Sequence, residues 1–273
     1  MFSRVVLLFL AATFTVSQLT LAQTTAKNPL PTSSMPAFDV ASIKPAKTGA
    51  TDDWDSYTRR DIYTATNMTL KKLIGEAYAV PGAQILGIPP SLNDIAFDIE
   101  AKMDQSVFDW VKGLSREQRA AAIEQMIQQL LIDRFNLRVH TETRQLPVYA
   151  LVVANPKRGT KLQPAQDTSG TGSVTLHRGQ MIAKSIGSER LAENLTFALL
   201  PEFGRIVIDK TNLTGKYDLS IRWAADSAGS ASDAEALPSI FTAIQEQLGL
   251  KLEATRAPVQ VLIIDHVESP SAN

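Results

Sequence analysis

The residues best placed for acid–base chemistry lie near the end of the chain, at Asp265, His266 and Glu268, directly after the apolar run Val259 to Ile264. An imidazole flanked by carboxylates is the set of groups that general acid–base catalysis uses. Neighbours in a strand point to opposite faces, so Asp265 cannot orient His266 unless the strand ends there. Two interpretations follow: a hydrolase centre, or a polar cluster that ends a strand.

A second polar segment, Asp209 to Asp218, follows the apolar strand Arg205 to Ile208. The turn interpretation needs no ligand, because Asn212 and Thr214 can bond to local backbone and Gly215 can supply a positive φ. The functional interpretation is an exposed loop that binds a ligand or partner. From these two segments, the candidate ligand or partner residues are Asp209, Lys216, Asp218, Asp265, His266 and Glu268.

Several kinds of catalytic and cofactor site are disfavoured because the sequence lacks the residues or motifs that they require. It has no cysteine, which excludes disulfides, thiolate nucleophiles and sulfur-ligated metals. Its three histidines, His140, His177 and His266, form neither HExxH nor an i, i+4 pair, and neither GxSxG nor SxxK occurs. Gly170 to Gly172 lacks the rest of a nucleotide-binding motif. We therefore predict no catalytic residue, no metal and no cofactor, and we expect His140 to be a solvated strand residue.

The charge balance gives no electrostatic case for nucleic acid or an anionic membrane as partner. The 27 basic and 28 acidic residues leave a formal net charge of −1. With 44% hydrophobic residues, the chain can bury one large core or two modest ones.

The first residues have the pattern of a signal for export. Arg4 precedes the apolar run Val5 to Thr15, and Thr20 to Ala22 resembles a cleavage site before Gln23. A membrane anchor is the alternative, but the run is shorter than the roughly 20 residues that span a bilayer. We expect a signal peptide at 1–22, a flexible leader at 23–36, and a mature protein in the periplasm or the medium with no membrane span.

The sequence also contains two sets of matching segments in the same order. Asn67 to Leu70 corresponds to Asn194 to Phe197, and each predicts the capped start of an amphipathic helix. Phe97 to Ile99 corresponds to Tyr217 to Leu219, and each lies in an alternating segment typical of a half-buried strand. Such internal similarity predicts a duplication.

A longer match strengthens this prediction. Residues 121–153 and 240–264 each contain a periodic helix, a turn, an alternating strand, an arginine and a proline. Pro147 and Pro258 are predicted to open a further strand after a hairpin loop. The predicted fold is α+β: two diverged copies of a β-α-β-α-β-β unit, with helices packed on mainly antiparallel sheets.

The boundaries follow from these matches. The first copy is predicted at 37–160, the junction at 161–179, the second copy at 180–268 and a loose tail at 269–273. Ser227 to Ala236, rich in Ser, Ala, Gly and Asp, is predicted to be an exposed loop inside the second copy.

Four stretches resemble hallmarks of a known family. They are Phe38 to Pro45, Asn212 to Asp218, Phe241 to Glu253 and the closing Asp265 to Glu268. They look like the DUF3738 family, also described as soil-associated TIGR03435 proteins. The resemblance implies a bacterial exported protein of unknown biochemical role, with no catalytic residues to carry over. Related domains attached to sensor peptidases of the beta-lactam-receptor type hint at sensing.

A weaker resemblance concerns each half. In the second copy, the order of a helix at Asn194 to Leu200, a strand at Ile206 to Ile208, Leu213 to Gly215 and paired strands is similar to the short N-terminal domain of secretins and TonB-dependent receptors. That resemblance implies binding of protein partners by analogy.

Three functions remain open. The first is a noncatalytic periplasmic or secreted binding module, whose partner is an envelope protein or a peptide added as a strand at a groove or sheet edge. The second is a hydrolase that uses carboxylates and His266. The third is a structural envelope protein. A structure in which the halves share one sheet or enclose a pocket would separate them.

Overall fold

The computed structural model describes residues 36–47, 53–224 and 237–270, apart from the side chains of residues 201 and 202. The predicted signal peptide, nearly all of the predicted leader, the predicted loop Ser227 to Ala236 and the last three residues of the tail lie outside the described residues.

The described chain contains both helices and strands. The strands within these residues are β1 (Val40–Pro45), β2 (Asp55–Arg59), β3 (Ile62–Thr69), β4 (Ile85–Leu86), β5 (Ala96–Lys102), β6 (Arg138–Val153), β7 (Gln163–Pro164), β8 (Ser173–His177), β9 (Gln180–Ile186), β10 (Val207–Asp209), β11 (Tyr217–Arg222) and β12 (Leu250–His266). The helices are α1 (Leu70–Ala77), α2 (Pro90–Asn93), α3 (Gln105–Lys112), α4 (Arg116–Phe135), α5 (Ser188–Phe203) and α6 (Ile240–Ala243). A 3-10 turn spans Gly82–Gln84, and α6 continues as a π-helix over Ile244–Leu248.

The described strands form three four-stranded sheets. The first has the order β1-β5-β3-β2 and the third has the order β7-β11-β9-β8, and both are antiparallel throughout. The central sheet, β10-β6-β12-β4, pairs β6 with β12 antiparallel, while β10 joins β6 and β4 joins β12 in parallel. The predicted α+β class with mainly antiparallel sheets is confirmed.

Both halves of the chain share one order of elements, apart from β1, α2 and α3, which occur in the first half. The hairpin β2–β3, helix α1, strands β4 and β5, helix α4 and strand β6 recur as β8–β9, α5, β10, β11, α6 and β12. Each short strand, β4 or β10, pairs with the long strand of the other half. This is the arrangement that the predicted duplication requires, and the duplication itself stays a prediction.

The hairpins predicted around Pro147 and Pro258 are wrong. Each region is one long strand, β6 or β12, and the two pair continuously from Leu250 opposite Val153 towards His266 opposite Arg138. A proline breaks a strand where its missing N–H would bond within the sheet. Both prolines stand where the N–H points away from the β6–β12 ladder, so the strands continue through them.

The helix predicted to start at Asn194 begins earlier. Helix α5 starts at Ser188, after Gly187, and Asn194 lies inside it, where its side chain donates to the Arg190 carbonyl at 2.7 Å. The other predicted start holds in part: Thr69 caps α1 by accepting from the Lys72 N–H, although Asn67 belongs to β3. An asparagine followed by apolar residues at helical spacing therefore indicated that a helix is present, but it did not identify the first residue of the helix.

Each half has its own core on the central sheet. In the first half, α1 and α4 pack on β3 and β5, with Phe97 and Phe135 in edge-to-face contact at 5.3 Å. In the second half, α5 and α6 pack on β9, β11 and the adjacent end of β6 and β12. Helix α4 begins with a capping box between Ser115 and Gln118, and Asn136 ends it in the left-handed conformation.

Candidate functional site

Two histidine–carboxylate pairs lie at one end of the β6–β12 pair. His140 Nδ1 is 2.8 Å from Asp265 Oδ1, and His266 Nε2 is 2.7 Å from Glu268 Oε1. Asp265 has no opposite residue in β6, because the register shifts between Ile264 and His266. As the sequence indicated, Asp265 and His266 do not orient each other; each has another partner.

All four of these side chains are between 41% and 58% exposed. The hydrogen bond with His266 and then that with Asn136 hold the pKa of Glu268 below its usual value. Within the described ranges, neither imidazole has a serine or threonine hydroxyl at hydrogen-bond distance. The described residues also contain no group of three or more His, Asp or Glu side chains that could hold a metal. Each imidazole is thus held by one carboxylate at this end of the β6–β12 pair.

Asp209 organises the turn that follows β10. Its carboxylate accepts from the Ser188 hydroxyl at 2.6 Å and from the N–H and the hydroxyl of Thr211, each at 2.8 Å. Asn212 then adopts a positive φ of 58°. Gly215, which was predicted to supply the positive φ, does not; a Cβ there would meet the Tyr217 hydroxyl at 2.9 Å.

Lys216 and Asp218 also have contacts within the fold. The Lys216 ammonium donates to the carbonyls of Thr168 at 2.8 Å and Gly170 at 2.7 Å. Asp218 accepts from the Ser185 N–H at 2.8 Å, and this bond lowers its pKa, with a further contribution from Lys184 at 3.3 Å. Lys216 and Asp218 therefore anchor the segments around them. Asp218 lies in β11 of the third sheet and Lys216 directly before that strand, whereas His266 ends β12 of the central sheet.

Part of the long strand β12 has backbone groups that do not bond to β6, because the N–H and C=O groups of a strand alternate between its two edges. On β6, the Tyr149 N–H and the Leu151 carbonyl bond to the segment 206–210, away from β12. Tyr149 stands opposite Ala254 and Leu151 opposite Leu252. Two opposite residues of an antiparallel pair either exchange both bonds or both point away. Leu252 and Ala254 therefore turn their N–H and C=O groups away from β6.

Arg256 follows the same alternation, so three residues present backbone groups on this outer edge. Strand β4 pairs with the same edge further along, at Leu262 and Ile263. Within the described chain, no strand pairs with the edge from Leu252 to Arg256. Residues 253–256 are exposed. We call Leu252 to Arg256 the open edge.

Pro258 limits the open edge. It lies at the next outward-facing position and has no N–H to offer. Natural sheets use proline in this way to restrict pairing of an exposed strand. Pro147 stands at the matching position of β6, and no described strand pairs with the outer edge of β6 around Thr143.

Two depressions lie on the described surface. One of about 490 Å³ covers the outer face of the first sheet, and its lining is Tyr57, Arg59, Arg60, Asp61, Ile62, Thr64 and Glu100. The other, of about 230 Å³, adjoins the open edge and is lined by Phe241, Thr242, Gln245, Glu246, Lys251 and Leu252. We call the second one the edge pocket. It adjoins the unpaired backbone of a long strand of the central sheet, whereas the larger depression lies beside β2, the edge strand of the first sheet.

The sequence did not single out the open edge or the edge pocket. Phe241 and Leu252 have the apolar spacing of core residues, and the predicted break near Pro258 hid the length of β12. One signal was available in the sequence. Prolines often protect exposed strand edges, and Pro147 and Pro258 occupy matching positions.

Fold and site define an α+β protein whose two halves share a central sheet with an open strand edge. The family model described as "Protein of unknown function (DUF3738)" matches residues 71–267, and the chain belongs to that family. No curated protein and no solved structure matches the chain. None of the described helices is long and apolar enough to cross a membrane.

Proposed function

We propose that the protein is a noncatalytic interaction module that binds an extended peptide as an added strand on the open edge. The observation that carries the proposal is the set of outward backbone groups at Leu252, Ala254 and Arg256, which lie beside the edge pocket. Strand addition uses main-chain hydrogen bonds for affinity and pockets for alternate side chains for specificity.

The size of the open edge supports a short ligand of moderate affinity. Each backbone hydrogen bond contributes a net of roughly 0.5–1.5 kcal/mol. Three outward residues, bounded by Pro258 on one side, can hold only a few residues of a partner strand. So few bonds fit the recognition of a short exposed segment, in an envelope protein or a peptide, that depends little on the sequence of that segment.

Export and an envelope partner belong to the same proposal. Their support is the segment from Arg4 to Ala22 and the resemblance of each half to the short N-terminal domain of secretins and TonB-dependent receptors. Expression of the full chain in a Gram-negative host should yield envelope protein that begins near Gln23. Retention of an uncleaved chain in the cytoplasm would contradict export.

Peptide selection with an edge-blocked variant tests the binding function. A displayed library of random peptides is selected on the full-length protein, and recovered peptides are compared on Ala254→Pro. That variant removes one outward N–H and keeps every bond to β6. We expect binding at least about tenfold weaker, since a donor is lost and the ring obstructs the approach.

The matched control is Thr143→Pro. Counting from Pro147 and Pro258, Thr143 corresponds to Ala254, and it also faces outward. Thr143→Pro should leave binding unchanged, and melting curves establish that both variants fold. A library that yields no binder, or binders that ignore Ala254→Pro, would refute the proposed function.

A further inference from the structure

The edge pocket lies where a side chain of an added strand would enter. The ligand residue opposite Leu252 projects to the same face of the sheet as Leu252, whichever direction the ligand runs. Leu252 and Phe241 both pack on the core of the second half, so they share that face. The pocket of about 230 Å³ is smaller than the roughly 300–1,000 Å³ of sites for small-molecule ligands, and it suits one large side chain.

The chemistry of the apolar wall favours an aromatic guest. Phe241 makes edge-to-face contacts with Tyr149 at 5.4 Å and Phe203 at 5.1 Å, and Tyr149 and Phe203 meet at 6.4 Å. Aromatic rings prefer such edge-to-face geometry and gain energy from it beyond the burial of area. Because Phe241 is partly exposed, a further ring can join this cluster from the open edge.

Lys251, one of the two charged residues that line the pocket, is already paired within the fold. Lys251 Nζ is 2.7 Å from Glu253 Oε1. Lys161 donates to the Glu246 carbonyl, which closes the π-helix side of the pocket. An acidic guest would have to compete with Glu253 for Lys251, whereas Thr242 and Gln245 can line a neutral ring.

We infer that the ligand of the open edge is an extended peptide that places an aromatic side chain opposite Leu252, in the edge pocket. This inference rests on the proposed function, since strand addition at Ala254 sets the position of the guest. It names the ligand class: a strand-forming segment with one aromatic residue on the helix-facing side.

Two synthetic peptides test the inference. Both alternate threonine and valine, and one carries a phenylalanine where the other carries an alanine. The wild-type protein should bind the phenylalanine peptide about tenfold more tightly, because the ring is buried against Phe241. In Phe241→Ala the ratio should fall towards one, while the alanine peptide binds as before.

Phe241→Leu keeps the packing of the core and removes the ring, so it should lower the same ratio without loss of folding. If wild type shows no preference for phenylalanine, or if the preference survives in both Phe241 variants, the inference is wrong. Ala254→Pro separates the two proposals. If Ala254→Pro binds neither peptide, the proposed function stands even where the aromatic preference fails. If Ala254→Pro binds both peptides as wild type does, strand addition at the open edge is wrong too.

Discussion

The Asp218 carboxylate accepts a hydrogen bond from the Ser185 N–H at 2.8 Å, across the antiparallel pair β9–β11. Asp98 accepts from the Asn67 N–H at 2.9 Å in the corresponding pair β3–β5. Ser185 and Asn67 both have a φ of 54°, and the register of each pair shifts at this point. Each half thus uses an aspartate to hold a left-handed residue at a bulge before its helix.

The two aspartates should stabilise the fold in the same way. Asp98→Ala removes the acceptor of a partly buried N–H at a strained bulge, and we expect a loss of about 1 kcal/mol in the free energy of unfolding. Asp218→Ala should lower stability in the same direction. Chemical denaturation measures both. Glu100→Ala, on an exposed position of β5, is the control and should change little; an equal loss there would contradict a specific role of the bulge.

The Asp218 bond should also make stability depend on acid pH. The Ser185 N–H holds the pKa of Asp218 below its usual value. A lowered pKa contributes stability that is present above the unfolded value of about 3.9 and is lost as pH falls through the folded value. Asp218→Asn should therefore be less stable than wild type at neutral pH and equal to it in strong acid. A stability difference between Asp218→Asn and wild type that stays the same across the pH range would argue against this linkage.

Glu76 should have the opposite pH dependence. It accepts from the Tyr63 hydroxyl at 3.0 Å, and burial followed by the charge of Glu124 raises its pKa, although the bonds from Ser56 and Tyr63 oppose this. The folded chain then binds more protons than the unfolded chain above about pH 4.3, so stability falls as pH rises through the folded pKa.

Glu76→Gln removes that titration and retains an acceptor for Tyr63. The variant should melt higher than wild type at neutral pH, and the gap should close in acid. Glu124→Gln should give a smaller change of the same sign. Thermal melts across the pH range check this, and a gap that widens in acid would contradict the assignment.

Lys216 should order the chain around residues 168–170. Its ammonium bonds to the Thr168 and Gly170 carbonyls, so Lys216→Ala should speed amide hydrogen exchange there with little effect elsewhere. Lys210→Ala is the control, because Lys210 is an exposed lysine at the start of the same loop. Equal exchange in both variants would mean that the ammonium does not hold this segment.

Elements whose signal is local could be predicted from the sequence. The alternating triplets at Phe97 to Ile99 and Tyr217 to Leu219 are in strands, and the periodic run before Leu137 is in helix α4. Each has a pattern that its own residues carry, since polar and apolar positions alternate with the period of the element.

Features that depend on strand pairing could not be predicted from the sequence. Whether Pro147 or Pro258 breaks a strand depends on which side its missing N–H would face, and that is set by the partner strand. For the same reason the open edge was not predicted, because it results from β4 pairing with only part of β12. Asp209 and Lys216 look functional in sequence, but Asp209 bonds to Ser188 at the start of α5 and to Thr211, and Lys216 bonds to backbone carbonyls of residues 168 and 170.

Amide hydrogen exchange of the complex with the phenylalanine peptide tests strand addition most directly. The amides of Leu252, Ala254 and Arg256 should gain protection, because the added strand bonds to them. Those of Glu253 and Thr255 should not change, because they already bond to β6. Protection that appears around Thr143 instead, or no gain along the open edge at saturating peptide, would contradict the proposed function.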